Sequence, residues 1–405
     1  MSKSDNLAFI YFLMQGTGTL ISWNAVLNGL DYYNAQFAAL GFDSFTLLPI
    51  AVFVAQGAAN FLITKITKAF TFNQRILGPL IILSIILFTL PIVTHFVTGT
   101  VGGFWVIMGL LFVLGFFGTI YQSSVSGLMS FFPGKYASIF LSGTGAAGLV
   151  MNALRSIAIL LFSTGDGNTT SNGQIVFYFG FASLIMIGCM IIHLIFIKTE
   201  FYTSKAGLTE GEKDDQEASI TVSEGLLESE GPSETQLMIQ VFKAATLPIL
   251  CLLTNYIQTF TFFPGVMHAK PTGSFIDPWK MVSMLTVFNI FDILGKAVAE
   301  KRDKYNERVL MIVTAARFVF FFTFVIQVIA PNMFIFNTLG FCYINIAVFG
   351  FSNGFVTTAS FIMAPEKVEG KKKQLAGFLS VIALTTGIML GTFVGYPFSK
   401  LKQVF

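Results

Sequence analysis

Residues 286–299 read TVFNIFDILGKAVA, which places an aspartate and a lysine four positions apart inside an otherwise apolar run. Such runs dominate the chain of 405 residues, of which 54% are hydrophobic and only 11% are charged. Soluble domains carry about 25% charged residues, so this chain lacks the polar surface that would keep it in water. The composition therefore predicts an integral membrane protein whose main solvent is lipid.

The apolar runs predict eleven membrane-spanning helices, because a helix needs about 20 mainly apolar residues to cross the bilayer core. The predicted intervals are 7–29, 44–65, 76–96, 103–131, 136–162, 174–197, 238–263, 279–299, 308–330, 334–362 and 375–397. The expected fold class is an all-α polytopic membrane protein.

The basic residues predict the orientation of these helices, since lysine and arginine collect on the cytoplasmic side of a membrane. Most of the 24 basic residues fall on the side of the N-terminus when the eleven intervals are laid out in order. The N-terminus is therefore expected in the cytoplasm and, because eleven is odd, the C-terminus outside the cell. A sequon at Asn168 falls in a loop on the expected outer side, which makes it a candidate glycosylation site.

An acidic segment divides the predicted helices into six and five. Residues 199–237 hold nearly half of the 21 acidic residues, with serine and glycine between them. A segment of this composition buries too little apolar surface to fold, so we expect a disordered cytoplasmic loop. It would separate an N-terminal six-helix bundle, residues 1–198, from a C-terminal five-helix bundle, residues 238–405.

Charged residues within the predicted spans are few, and each costs about 2.5–3.5 kcal/mol at membrane depth, so they mark candidate functional positions. The charged residues are Arg155, Asp292, Lys296 and Arg317, and their neutral polar companions include Asn24, Gln122, Asn152, Asn289 and Asn353. Asn289, Asp292 and Lys296 are spaced to share one helix face. Taken alone, Lys296 has a second interpretation, in which its long side chain extends to place the amine among the lipid headgroups. Asp292 lies too deep for that, so we expect it to face a water-accessible cavity.

Other motifs favour neither an enzyme nor an ATP-driven pump. The stretch SGTGAAG, residues 142–148, matches a dinucleotide-binding pattern, but no strand precedes it, so close helix packing is the better interpretation. The histidines lack metal-ligand spacing, and we expect neither a cofactor nor a metal.

Several local motifs resemble those of the equilibrative nucleoside transporter family, in the family's order. FNIFDILGK (288–296) is similar to the eighth-span motif F-N-x-x-D-x-x-G-R, and SWNAVLNGLDYY (22–33) resembles the first-span W-N motif. The segment FSNGFVTTASFIMAPEKV (351–368) is similar to the family's tenth span. The resemblance covers almost the whole chain and implies a major-facilitator-like fold with a 6+5 arrangement of helices.

The resemblance also implies a central substrate site. Its residues would be Trp23, Asn24, Gln122, Asn289, Asp292 and Lys296. Trp23 would form an aromatic wall, Gln122 would bond a base, and Asp292 with its basic neighbour would hold ribose. The in-membrane polar residues Arg155, Arg317 and Asn353 are expected to be structural.

Position 296 departs from the family motif, which has arginine there. Lysine lacks the planar fork of arginine, so we expect a weaker preference for ribose and a substrate range that extends to nucleobases.

The implied function is passive, bidirectional transport of nucleosides, purine nucleosides in particular, by alternating access in the plasma membrane. One alternative is a proton-coupled symporter of nucleosides or nucleobases, in which Asp292 would carry the proton. A more remote alternative is a membrane receptor without transport. The expected partners are a small-molecule substrate and the lipid bilayer, and nothing implies a nucleic acid or an obligate protein partner.

Overall fold

The computed structural model describes residues 3–42, 44–162, 172–205, 234–263, 278–329, 333, 335–336, 338–370 and 372–401. Every regular element in these ranges is helical. The candidate glycosylation site Asn168 lies outside the described residues, as do residues 206–233 of the acidic segment.

Fifteen α-helices make up the described part of the chain. They are α1 Lys3–Asn28, α2 Leu30–Phe37, α3 Ser44–Ala69, α4 Phe72–Val97, α5 Val101–Met129, α6 Gly134–Phe162, α7 Asn172–Phe196, α8 Glu200–Lys205, α9 Glu234–Ala244, α10 Thr246–Phe262, α11 Pro278–Ala299, α12 Glu307–Ala316, α13 Val319–Ile329, α14 Leu339–Glu366 and α15 Lys372–Leu401. Short 3₁₀ helices cover Ala38–Leu40 and Arg302–Lys304.

Eight stretches of the described chain are long and apolar enough to cross a membrane. They are Phe72–Val97, Val101–Met129, Gly134–Phe162, Asn172–Phe196, Val282–Ala299, Glu307–Gln327, Leu339–Glu366 and Lys372–Gly395. The pair α9 and α10 makes a ninth if it is counted as one span. These helices confirm an all-α, multi-pass membrane protein, whereas eleven crossings stay a prediction.

The predicted interval 238–263 is not one straight helix. Helices α9 and α10 meet at Ala245 with a bend of 85°. Val241 of α9 is buried against Val368 and Ala376, so α9 packs on the start of α15. Tertiary packing of this short apolar patch overrides the continuous apolar pattern that predicts a single span.

The helices form two groups that meet along a seam. Before residue 206, α1 packs on α6 and α7, and α4 packs on α5 and α7. After residue 234, α11 packs on α14, and α10 packs on α14 and α15. The groups touch where α11 contacts α6 and where α15 contacts α3 and α5.

Glycines set how closely the neighbouring helices approach. A Cβ atom on Gly143 would overlap the backbone of α1, and one on Gly148 would overlap the Asn289 side chain of α11. The SGTGAAG stretch is therefore a packing surface on both sides of α6. Gly354 of α14 plays the same part, because a Cβ there would overlap the carbonyl group of Asp292.

Candidate functional site

A cavity with an empty volume of about 1080 Å³, part of it open to solvent, lies at the seam between the two groups. Small-molecule sites commonly lie between the helices of a bundle, as this cavity does. Residues of α1, α3, α5 and α6 line one side, and residues of α10, α11, α14 and α15 line the other. A ligand in this cavity would contact both groups at once.

All six residues predicted to bind substrate line this cavity. They are Trp23, Asn24, Gln122, Asn289, Asp292 and Lys296. Asn353 also lines it, although the sequence predicts only a structural role for that residue. The fold thus brings together side chains from four helices that lie far apart in the chain.

Asp292 and Lys296 form a buried ion pair on α11. Lys296 Nζ lies 2.6 Å from Asp292 Oδ2, and each residue is 4% exposed. Lys296 Nζ also donates a 2.9 Å hydrogen bond to Thr144 Oγ1 of α6. The lysine amine therefore points along the seam toward the first group of helices, and it does not extend to the headgroups.

The second oxygen of Asp292 is held from α14. Asn353 Nδ2 donates a 2.8 Å hydrogen bond to Asp292 Oδ1. Asn353 Oδ1 in turn accepts hydrogen bonds from Asn255 Nδ2 at 3.0 Å and from Thr259 Oγ1 at 2.8 Å. Each carboxylate oxygen thus has one protein partner and can accept a further bond, and Asn353 fixes the orientation of the Asp292 carboxylate.

Arg317 ends this hydrogen-bonded chain inside the second group. It is 1% exposed, and its Nη2 donates a 2.7 Å hydrogen bond to Thr259 Oγ1. Its Nη1 donates to the Phe349 carbonyl oxygen at 2.9 Å, and its Nε donates to Gln258 Oε1 at 3.3 Å. These bonds join the end of α12 to α10 and α14, and Arg317 does not line the cavity.

Arg155 lies away from the cavity in the first group. Its Nη2 lies 2.5 Å from Asp31 Oδ2 of α2, and its guanidinium is 5.6 Å from the Tyr178 ring centroid. Asp31 falls just beyond the predicted interval 7–29, so sequence reasoning does not pair it with Arg155. The ion pair ties α2 to α6.

Aromatic rings line the part of the cavity next to Trp23. The Trp23 ring centroid lies 5.0 Å from that of Phe53, and Phe53 meets Phe260 of the second group edge to face at 5.8 Å. Phe263 stacks on Phe288 at 4.8 Å. A planar ring placed here would find aromatic faces from both groups.

Several amides that line the cavity have bonding capacity left, among them Gln122 and Asn24. Gln122 makes no hydrogen bond within the described ranges, and Asn24 uses only its Nδ2, which donates to the Leu20 carbonyl oxygen at 2.9 Å. Such groups can fix the orientation of a polar ligand without first breaking a protein contact.

Sequence reasoning misses several cavity residues. Thr144 lies inside the glycine-rich stretch and carries no signal beyond packing, yet it bonds Lys296. Phe53, Tyr256 and Phe260 lie among many aromatic residues in apolar runs, and only the tertiary structure selects them. Among the described residues, no group of His, Cys, Asp and Glu side chains is arranged to hold a metal ion.

Comparison with known proteins gives a family match and relatives that align over almost the whole of this chain. A family model described as "Nucleoside transporter" matches residues 108–400. Equilibrative nucleoside transporter 4 of Danio rerio is 24% identical, over 97% of this chain and 83% of that protein. Equilibrative nucleoside transporter 2 of Homo sapiens is also 24% identical, over 98% of each chain.

The fold is similar to that of a solved structure of the major facilitator superfamily. The proton:xylose symporter XylE superposes with a TM-score of 0.59 at 11% sequence identity, over 99% of this chain and 95% of that one. At this identity the likeness concerns the fold alone.

Proposed function

This chain belongs to the nucleoside transporter family, and on that premise we propose that it moves nucleosides across a membrane passively and in both directions. The relatives are named as transporters, and the chain is a multi-pass membrane transporter rather than an enzyme. Transport would proceed by alternating access, in which the two groups of helices rock about the cavity between them.

The observation that carries this proposal is the chemistry of the cavity. Asp292 and Lys296 offer an anionic acceptor and a cationic donor at one position, which suits the hydroxyl groups of ribose. Trp23 and Phe53 offer aromatic faces, and Gln122 offers an unused amide, which together suit a planar base with donors and acceptors on its edge. A purine nucleoside would use all of these groups.

Lys296 bears on the range of substrates. Its amine is a compact point charge that already bonds Asp292 and Thr144, so it grips a diol less firmly than an arginine fork would. We therefore propose that nucleobases are accepted alongside purine nucleosides, held mainly by Gln122 and the aromatic faces.

Passive transport is favoured over proton coupling by the surroundings of Asp292. A coupled proton must bind a group that changes its charge during the cycle. Asp292 has a lysine amine on one oxygen and an amide N–H on the other, so both oxygens already accept from protein donors. A proton-coupled symporter remains the second candidate, because Asp292 is the titratable acid that lines the cavity.

We propose the following membrane arrangement. The chain would cross the membrane eleven times, six times before the acidic segment 199–237 and five times after it. The distribution of lysine and arginine supports a cytoplasmic N-terminus and an extracellular C-terminus, as for a protein of the plasma membrane.

Uptake by the purified full-length protein in liposomes tests the proposal. We expect saturable uptake of inosine, adenosine and hypoxanthine that is unchanged by an imposed proton gradient and that equilibrates in both directions. Absence of saturable flux for every nucleoside and nucleobase contradicts the proposed function. Uptake that rises with an inward proton gradient establishes the symporter instead.

A further inference from the structure

Arg75 is a buried cation outside the lining of the cavity. It lies in the first turn of α4 and is 3% exposed. Its Nε and Nη1 atoms are buried and have no hydrogen-bond acceptor in the described part of the chain. No carboxylate among the described residues forms an ion pair with it. Burying an unpaired charge is strongly unfavourable, so this arrangement calls for a counter-ion.

The other buried arginines show what a partnered guanidinium looks like in this protein. Arg155 is 2% exposed and bonds the carboxylate of Asp31. Arg317 is 1% exposed and uses Nε and both Nη atoms as donors. Arg75 is as buried as Arg155 and Arg317 but lacks their hydrogen bonds among the described residues. Its burial therefore does not follow from a bonding role within the described part of the fold.

The described neighbours of Arg75 are an aromatic ring and a phenol. Its guanidinium carbon lies 4.4 Å from the centroid of the Phe72 ring. Tyr202 of α8 interacts with it electrostatically, and burial raises the pKa of Tyr202 to about 12 even though Arg75 opposes that rise. The Tyr202 phenol is therefore neutral at physiological pH and cannot balance the arginine.

The position of Arg75 in the membrane protein indicates the source of a counter-ion. Arg75 begins an apolar helix that is long enough to span a membrane, so it lies at the boundary between lipid and water. The Thr71 and Gln74 side chains form a capping box that already serves the backbone amides of this helix start. Among the described residues, the arginine side chain is thus the donor at this helix start that has no acceptor, in the positive field of a helix N-terminus.

From these contacts we propose that Arg75 binds a phosphate group at the membrane boundary, as the phosphodiester of an anionic lipid headgroup presents it. Phosphate oxygens match the planar fork of an arginine, and basic pockets between helices at the membrane surface bind such headgroups. Phe72 and Tyr202 would flank the bound group. The bound lipid would stabilise the start of α4.

Thermal unfolding of the delipidated, detergent-purified full-length protein tests this proposal. Three probes are compared: dihexanoyl-phosphatidylglycerol, dihexanoyl-phosphatidylcholine and inorganic phosphate. We expect the Tm of the wild type to rise by several degrees with phosphatidylglycerol and much less with the other two, because a ligand that binds only the folded state stabilises it. A rise with inorganic phosphate equal to that with phosphatidylglycerol also supports the phosphate site, and assigns it to free phosphate.

Arg75→Met is the decisive variant, because it removes the unpaired charge but keeps a long apolar side chain. Without added lipid it should be at least as stable as the wild type, and with phosphatidylglycerol its Tm should not rise. The matched control is Lys198→Met, which removes an exposed cation at the same end of the bundle and should keep the full response. An equal rise in Arg75→Met, or no rise in the wild type with any probe, overturns the proposal.

Arg75→Gln guards against a folding failure of the methionine variant. Glutamine keeps a polar side chain without the charge, so its Tm should also fail to respond to phosphatidylglycerol. A response of wild-type size in this variant overturns the proposal as well.

Discussion

Lys296 donates a 2.9 Å hydrogen bond from Nζ to Thr144 Oγ1, and this bond joins the two groups of helices at the edge of the cavity. The two residues lie 152 positions apart in the chain. The same amine is paired with Asp292, so one side chain contacts both the candidate substrate site and the opposite group. A movement that separates α6 from α11 must break this bond. The bond therefore couples substrate binding at Asp292 and Lys296 to opening of the cavity.

Thr144→Val should favour separation of the groups at this end. Valine keeps the side-chain shape but cannot accept the bond, and hydrogen bonds to charged groups contribute about 1.5–3 kcal/mol. Maleimide labelling of a cysteine at Ser130, which is buried next to Gly377 of α15, measures the opening. We expect labelling to become several times faster, and Thr144→Ser to label like the parent protein. Equal rates in Thr144→Val and the parent would show that the bond does not restrain opening.

Asp292→Asn should abolish most nucleoside flux while the protein stays folded. The change removes the negative charge that faces Lys296 and leaves that amine without its ion-pair partner. We expect uptake of inosine into liposomes to fall at least tenfold, with a monodisperse peak retained in size-exclusion chromatography. Near-normal uptake would refute the role proposed for this carboxylate.

Lys296→Arg should shift selectivity toward nucleosides. A guanidinium can contact two hydroxyl groups at once, whereas the ammonium group of lysine acts as a point charge. The measurement is the ratio of inosine to hypoxanthine uptake in competition assays. Unchanged ratios would indicate that position 296 does not discriminate ribose.

Asn353→Ala should weaken transport through the orientation of Asp292. The amide donates to Asp292 Oδ1 and accepts from Thr259, so its loss leaves buried polar groups unpaired at a cost of about 1–3 kcal/mol. We expect the KM for inosine to rise about tenfold or more. Asn345→Ala is the matched control, because Asn345 is buried in the same helix but does not line the cavity. Similar KM values for the two variants would contradict a positioning role.

Gly354→Ala should destabilise the contact between α11 and α14. A Cβ at this position would overlap the backbone of Asp292, and overpacking of this kind costs about 1–3 kcal/mol. We expect a lower Tm in detergent together with weaker uptake. Gly340→Ala, in the same helix but with nothing near its Cβ position, should leave Tm unchanged. A Tm of Gly354→Ala equal to that of the wild type would show that α11 and α14 can move apart to accommodate the added methyl group.

Much of the candidate site follows from local spacing. Residues on one helix keep their relative positions on its surface, whatever packs around the helix. Asn289, Asp292 and Lys296 share a helix face for that reason, and all three line the cavity. The partners of Asp292 and Lys296 could not be predicted in the same way. Asn353 is 61 positions from Asp292 on another helix, and helical spacing does not relate residues of two different helices.

Residue order alone was enough for the membrane class, the helical character and the positions of the polar side chains, since composition and periodicity are properties of short segments. Tertiary packing decided the rest: the bend at Ala245, the pairing of Arg155 with Asp31 and the absence of a described partner for Arg75. It also decided that the cavity forms between the two groups. Each of these depends on contacts between segments far apart in the chain, where the free energy of many weak interactions selects the neighbours.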